Sequence, residues 1–69
     1  MNYQEILHEL GLNILEGLNI LLSEDISDIE KIEIESNKED IQEILEYGVN
    51  GDYEIETILS LALKYRRVE

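Results

Sequence analysis

The chain has 69 residues, seventeen of them Asp or Glu against five Lys or Arg, for a net charge of −12, and it contains no cysteine and no proline. One domain of this size buries only about 60% of its unfolded surface, and without cysteine it has neither disulfides nor thiolate–metal sites nor a thiol nucleophile. No apolar run approaches the roughly 18 residues of a membrane span and no charged-then-apolar leader begins the chain, so the expectation is a cytoplasmic protein, 1–69 forming a single acidic helical domain.

Residues 11–21 read GLNILEGLNIL, with Gly-Leu-Asn-Ile-Leu written twice around Glu16. At about 100° per residue, Tyr3, Ile6, Leu7, Leu10, Ile14, Leu15, Leu18, Leu21 and Leu22 fall on one broad face, opposite Asn2, Glu5, Glu9, Asn13 and Glu16. That continuity favours a helix over a hairpin turned at Glu16-Gly17. A six-residue repeat turns a helix by about 240°, so the two copies point in different directions. Tyr3, Leu7, Leu10, Ile14, Gly17 and Leu21 also keep heptad spacing, the signature of a self-association seam. Gly11 is a candidate C-cap that would split the segment into helices near 3–10 and 13–22. Leu12 and Ile20 lie on or beside the polar face, so either the helix breaks at Gly11 or something covers them. The self-association set is therefore Tyr3, Leu7, Leu10, Leu12, Ile14, Ile20 and Leu21.

Residues 24–35, EDISDIEKIEIE, carry two signals. Ile26, Ile29 and Ile32 step by three, and Ser27-x-x-Glu30 has capping-box form. Yet Ile32 and Ile34 alternate with Glu33 and Glu35, as in a strand. The expectation is a loop with a short extended segment near residues 30–35. Ser36 followed by Glu39 is a second capping box, opening a short helix with Ile41, Ile44 and Leu45 on one face and Gly48 as its C-cap. Residues 42–50, QEILEYGVN, echo 4–13, QEILHELGLN, in a form that chance similarity between amphipathic helices explains.

Asn50-Gly51-Asp52 is turn chemistry. The last helix shows a stripe of Ile55, Ile58, Leu59, Ala62 and Tyr65, with Glu56, Thr57, Ser60, Lys64 and Arg67 facing away. Asp52, Glu54 and Glu56 at its start and Lys64, Arg66 and Arg67 at its end suit the helix dipole. The fold class expected is all-α, a small three- to four-helix bundle.

Chemistry is sparse. His8 is the only histidine and lies on the flank of the first helix among exposed positions, which reads as a solvated surface histidine and not as the general base of a nucleophilic triad. Glu5 and His8 have the Glu-x-x-His spacing of di-iron bundles, but both point away from the apolar stripe. Gly11, Gly17, Gly48 and Gly51 do not match a phosphate loop, and no calcium-loop pattern appears. The expectation is a protein without catalytic residues, metal or cofactor.

Charge is the sequence's clearest functional signal. Residues 1–23 carry −3, residues 24–56 carry −11 and residues 57–69 carry +2. One sign held at that density opposes compaction and is better understood if a positive surface meets it. The expected function is a small acidic inhibitor whose carboxylates occupy the basic, nucleic-acid-binding surface of a partner protein, as an anti-nuclease or anti-defence mimic of phosphates. Its candidate contacts are Glu30, Glu33, Glu35, Glu39, Asp40, Glu43 and Glu46, with Asp52, Glu54 and Glu56 as a second cluster. The alternative is a helical interaction module, such as a homodimeric adaptor, antitoxin-like partner or regulator, that works through the apolar surface of its first helix. Direct nucleic-acid binding is excluded by repulsion, and a homodimer would help so small a core.

Overall fold

The structure is a computed structural model that describes residues 2–65. It holds three helices, α1 (Tyr3–Leu22), α2 (Asp28–Tyr47) and α3 (Asp52–Lys64), joined by two short connections, with no strand among the described residues. The chain is all-α, a three-helix bundle. Among the described residues no helix is long and apolar enough to cross a membrane.

The helices begin where short polar side chains satisfy otherwise unpaired N–H groups. Asn2 Oδ1 accepts from the Glu5 N–H at 2.8 Å, and Ser27 Oγ accepts from the Glu30 N–H at 3.2 Å. The Ser27 half of the first predicted capping box therefore forms and starts α2 at Asp28. Gly48 ends α2 at φ 93° and ψ 163°, and its N–H returns to the Ile44 carbonyl. That backbone region is open essentially to glycine alone.

Two expectations about the middle of the chain are corrected. Residues 30–35 are not extended, and no helix starts at Ser36: both stretches lie inside one 20-residue helix, with Ser36 exposed at its middle. The period that governs α2 is set by Ile34, Ile41 and Ile44, which are buried, with Leu45 packed beside them. Ile29 and Ile32 are not part of that stripe and stand 80% and 70% exposed. The apparent alternation of Ile32 and Ile34 paired one outward-facing side chain with one core side chain.

The first helix does not break at Gly11; α1 is continuous, and Leu12 and Ile20 stay exposed within the chain. Gly11 is buried because α2 comes close: a Cβ built there would lie 3.0 Å from Leu45 Cδ2 and 4.0 Å from Ile58 Cδ1. The repeat behaves as a 240° rotation requires. Leu18 and Ile14 are core, whereas their counterparts Leu12 and Ile20 are exposed. Nor is Gly11 the counterpart of Gly48, since only Gly48 closes a helix.

The core consists of Leu7, Ile14 and Leu18 from α1, Ile34, Ile41 and Ile44 from α2, Val49 from the connection, and Ile58 and Leu61 from α3. Leu10, Leu15, Leu21, Leu22, Ile26, Ile55, Ala62 and Tyr65 pack around it, half-buried. In α3 the stripe is rotated slightly from its expected position: Leu61 is buried and Leu59 is exposed. Tyr3 and Ile6, assigned to the buried face of α1, are also exposed. Two long-range hydrogen bonds between uncharged groups fix the packing: Gln4 Nε2 donates to the Val49 carbonyl in the second connection at 3.0 Å, and Asn37 Nδ2 of α2 donates to the Tyr65 hydroxyl at the end of α3 at 2.5 Å. Arg66 and Arg67, read as the end of the last helix, lie outside the described residues.

Candidate interaction surface

The long α2 decides where the acidic groups go. Eight carboxylates sit on it, from Asp28 to Glu46. At a rise of 1.5 Å per residue they span about 27 Å, roughly one carboxylate per 4 Å of axis. A single DNA strand carries one phosphate per about 3.4 Å, a density matched only when carboxylates all around the helix are counted.

Their angular distribution follows from the core stripe. With Ile41 facing inward, Asp28, Glu35, Glu39, Glu43 and Glu46 fall within about 80° of arc on the opposite, outward side. All five are exposed. Asp28 was missing from the residues expected at this surface, because a chain read as a loop up to residue 35 has no helical face on which to place it.

The other candidates leave this ridge. Asp40 turns toward α3, where it lines a cleft of about 120 Å³ with Glu43, Tyr47, Tyr53 and Glu54. It also lines a neighbouring depression with Tyr53, Glu56 and Thr57. The second acidic cluster is thereby joined to the first across the α2/α3 groove, through Glu54 and Glu56. Asp52 stands exposed in the first turn of α3, where it favours the positive end of the helix dipole. Tyr47 and Tyr53, 71% and 70% exposed, flank the groove and were not singled out from sequence. Their signal was present only as two tyrosines near a turn.

Glu33 and Glu30 lie at the other end of α2. Glu33 accepts a hydrogen bond from Lys64 Nζ in the one ion pair among the described residues. That bond, opposed by some loss of solvation, raises the Lys64 pKa above its ordinary value, so Lys64 stays cationic. Lys64 also sits 5.6 Å from the centre of the Tyr65 ring, within cation–π reach. Glu30 and Glu33 border a small depression lined by Leu21, Ile26 and Ile34. Of the ten predicted contact residues, Glu35, Glu39, Glu43 and Glu46 share the ridge. Asp40, Glu54 and Glu56 adjoin it along the groove, and Glu30, Glu33 and Asp52 lie at its ends.

The residues expected to self-associate are divided. Leu7 and Ile14 are consumed by the chain's own core, Leu10 and Leu21 are half-buried against it, and Tyr3, Leu12 and Ile20 are exposed. Of the heptad row read from Tyr3 to Leu21, Leu7, Leu10, Ile14 and Leu21 thus pack within the chain, while Tyr3 stays exposed.

His8, Glu5 and Glu9 line a cleft of about 370 Å³, together with Gln4, Val49 and Asn50. Glu5 faces outward and His8 is half-buried. Among the described residues no three His, Asp or Glu side chains converge as metal ligation would require.

Comparison with known protein families, characterised proteins and solved structures gives no match. What the molecule offers as an acidic three-helix bundle rests on its own geometry.

Proposed function

We propose that this is a cytoplasmic binding protein, and not an enzyme, that uses the outer face of α2 and the adjoining α2/α3 groove to cover a basic, nucleic-acid-binding surface of a partner protein. The observation that carries this reading is the ridge itself. Five exposed carboxylates are aligned over about 27 Å on one side of a rigid helix, and none of them has a cation as partner among the described residues.

The physical case is one of preorganisation. A helix holds its charges in register before the partner arrives, so little ordering is required on association. The summed field attracts a cationic partner over distances near the Debye length, which makes association fast and sensitive to salt. Ile29 and Ile32 at one end of this face, and Tyr47 and Tyr53 at the other, supply apolar and aromatic contact among the charges. Such a mixture of anchors and charges is what protein–protein interfaces use, and aromatic side chains are their commonest hot spots. A basic nucleic-acid-binding surface pairs Lys and Arg with exposed apolar or aromatic groups and fits this arrangement.

The test is capture of partners from nuclease-treated lysate with the wild-type chain and with a Glu35→Lys, Glu43→Lys double variant. These sites are exposed and outside the Lys64 ion pair, so helicity by circular dichroism should be unchanged. The expected result is a captured nucleic-acid-binding protein that is lost in the variant and released as salt rises to about 500 mM, where the screening length is only a few ångströms. Equal capture by the charge-reversed variant refutes the reading.

A further inference from the structure

The acidic ridge occupies one side of the bundle, and the side across from it has the opposite character. Gly11 turns one flank of α1 toward Leu45 of α2, and Leu21 lies by helical angle on the other flank, where it shares a depression with Lys64 and Tyr65 of α3. Tyr3, Ile6, Leu10, Asn13, Gly17 and Ile20 fall on that second flank at steps of 3, 4, 3, 4 and 3. This heptad row shares Tyr3, Leu10 and Gly17 with the one read from sequence, and has Ile6, Asn13 and Ile20 at its outer edge in place of Leu7, Ile14 and Leu21. On α3, Thr57 and Lys64 face α2, and Leu59 and Leu63 fall on the opposite flank by helical angle, Leu63 being 71% exposed. No charged residue falls within the seam. Glu9 and Glu16 border it on α1, and Glu56 borders it on α3.

We infer that this α1/α3 groove is the contact face for a second copy of the same chain, which pairs with the first about a two-fold axis. Three observations select that occupant. The first is electrostatic: a molecule of net charge −12 can approach its own copy only where the surface is neutral, and this groove places the two α2 ridges on opposite outer sides of the pair. The second is the small core. Only nine apolar side chains are buried among the described residues, in a chain that has no disulfide, and small domains of this kind are commonly completed by self-association. The third is area. A standard interface takes about 800 Å² from each partner, roughly a sixth of the 5145 Å² that the chain exposes, which two neighbouring helix flanks can supply. Asn13 at the middle of the seam is a polar residue in an apolar row, the device by which paired helices set their register.

This inference is independent of the reading of the acidic face, and salt separates the two. Screening weakens the attraction of a basic partner but relieves repulsion between like-charged copies, so the pair should tighten as salt rises. The experiment is sedimentation equilibrium of the full chain from micromolar to millimolar concentration, in about 50 mM and about 500 mM salt. The expected result is a mass moving from 8.0 kDa to twice that value, at lower protein concentration in the higher salt. Leu63→Glu should raise the dissociation constant at least about tenfold, while Ile32→Glu on the acidic side should leave it unchanged. Since the chain has no cysteine, Asn13→Cys gives a second readout: near the two-fold axis it should oxidise to a linked pair, and Glu39→Cys should not. A mass of 8.0 kDa at millimolar concentration and high salt overturns the inference and leaves the groove to a different protein. A pair broken by Ile32→Glu but untouched by Leu63→Glu overturns it as well.

Discussion

The two glycines inside α1 provide a direct test of how the helices pack. Each costs about 1 kcal/mol relative to alanine in a helix interior, so replacement by alanine should be favourable unless the new methyl has nowhere to go. At Gly17 a Cβ meets nothing within 4 Å. Gly17→Ala should therefore stabilise the chain by about 0.5–1 kcal/mol, which raises the melting temperature by roughly 4 °C in a domain of this size. At Gly11 the same methyl would stand 3.0 Å from Leu45 Cδ2 and 3.7 Å from its Cγ. Carbon atoms pack at about 3.5–4.0 Å, so Leu45 must retreat by about half an ångström within a packed interface. Overpacking of that kind costs about 1–3 kcal/mol, which cancels or exceeds the helical gain. The expected result is no increase in melting temperature for Gly11→Ala, or a decrease. The assay is thermal unfolding by circular dichroism at micromolar protein, and Leu45→Ala supplies the control: with room restored, Gly11→Ala should become favourable. An equal increase for both glycine variants in the wild-type background would refute close approach of α1 and α2.

Gly48→Ala should destabilise the chain by about 1–3 kcal/mol, because φ 93° with ψ 163° is strained for any residue with a Cβ; denaturant titration measures it. Ile41→Ala removes a fully buried side chain and should cost about 2–5 kcal/mol, whereas Ile32→Ala, at an exposed site on the same helix, should change stability by less than about 0.5 kcal/mol. Equal effects at the two positions would refute the assignment of the α2 core face. The Lys64–Glu33 pair should leave no mark on the pH dependence of stability near neutrality. A lysine whose folded pKa is raised contributes fully below its unfolded value of about 10.4 and loses that contribution as pH rises through the folded value. The stability profiles of the wild type and Lys64→Met should therefore run parallel from about pH 6 to about pH 9 and converge only in alkali.

Much of the architecture was legible in the residues. The helical period of α1, the end of α2 at Gly48 and the turn before Asp52 follow from side-chain spacing and from backbone freedom, which are properties of a few neighbouring residues. The concentration of acids in the middle of the chain was equally plain, since charge is counted without folding anything. The start of α2 was harder: Ser27 and Ser36 have the same capping form, and only one of them precedes a helix. The choice between them depends on whether Ile34 finds a partner, which is not local information.

Three things were decided by tertiary structure alone. Gly11 remains helical because Leu45 and Ile58 arrive beside it, and a glycine in isolation reads as a break. Of two overlapping heptad rows on α1, the side chains that differ pack inward in one and stay exposed in the other, a choice made by the direction from which α2 and α3 approach. The carboxylates became a ridge only once Ile34, Ile41 and Ile44 were turned inward, since a helix oriented by its buried side chains has no freedom left in where it sends the others. Sequence supplies local periods and the total charge. Burial of apolar surface is a property of the whole chain, and it sets the rotation of each helix that turns those periods into faces.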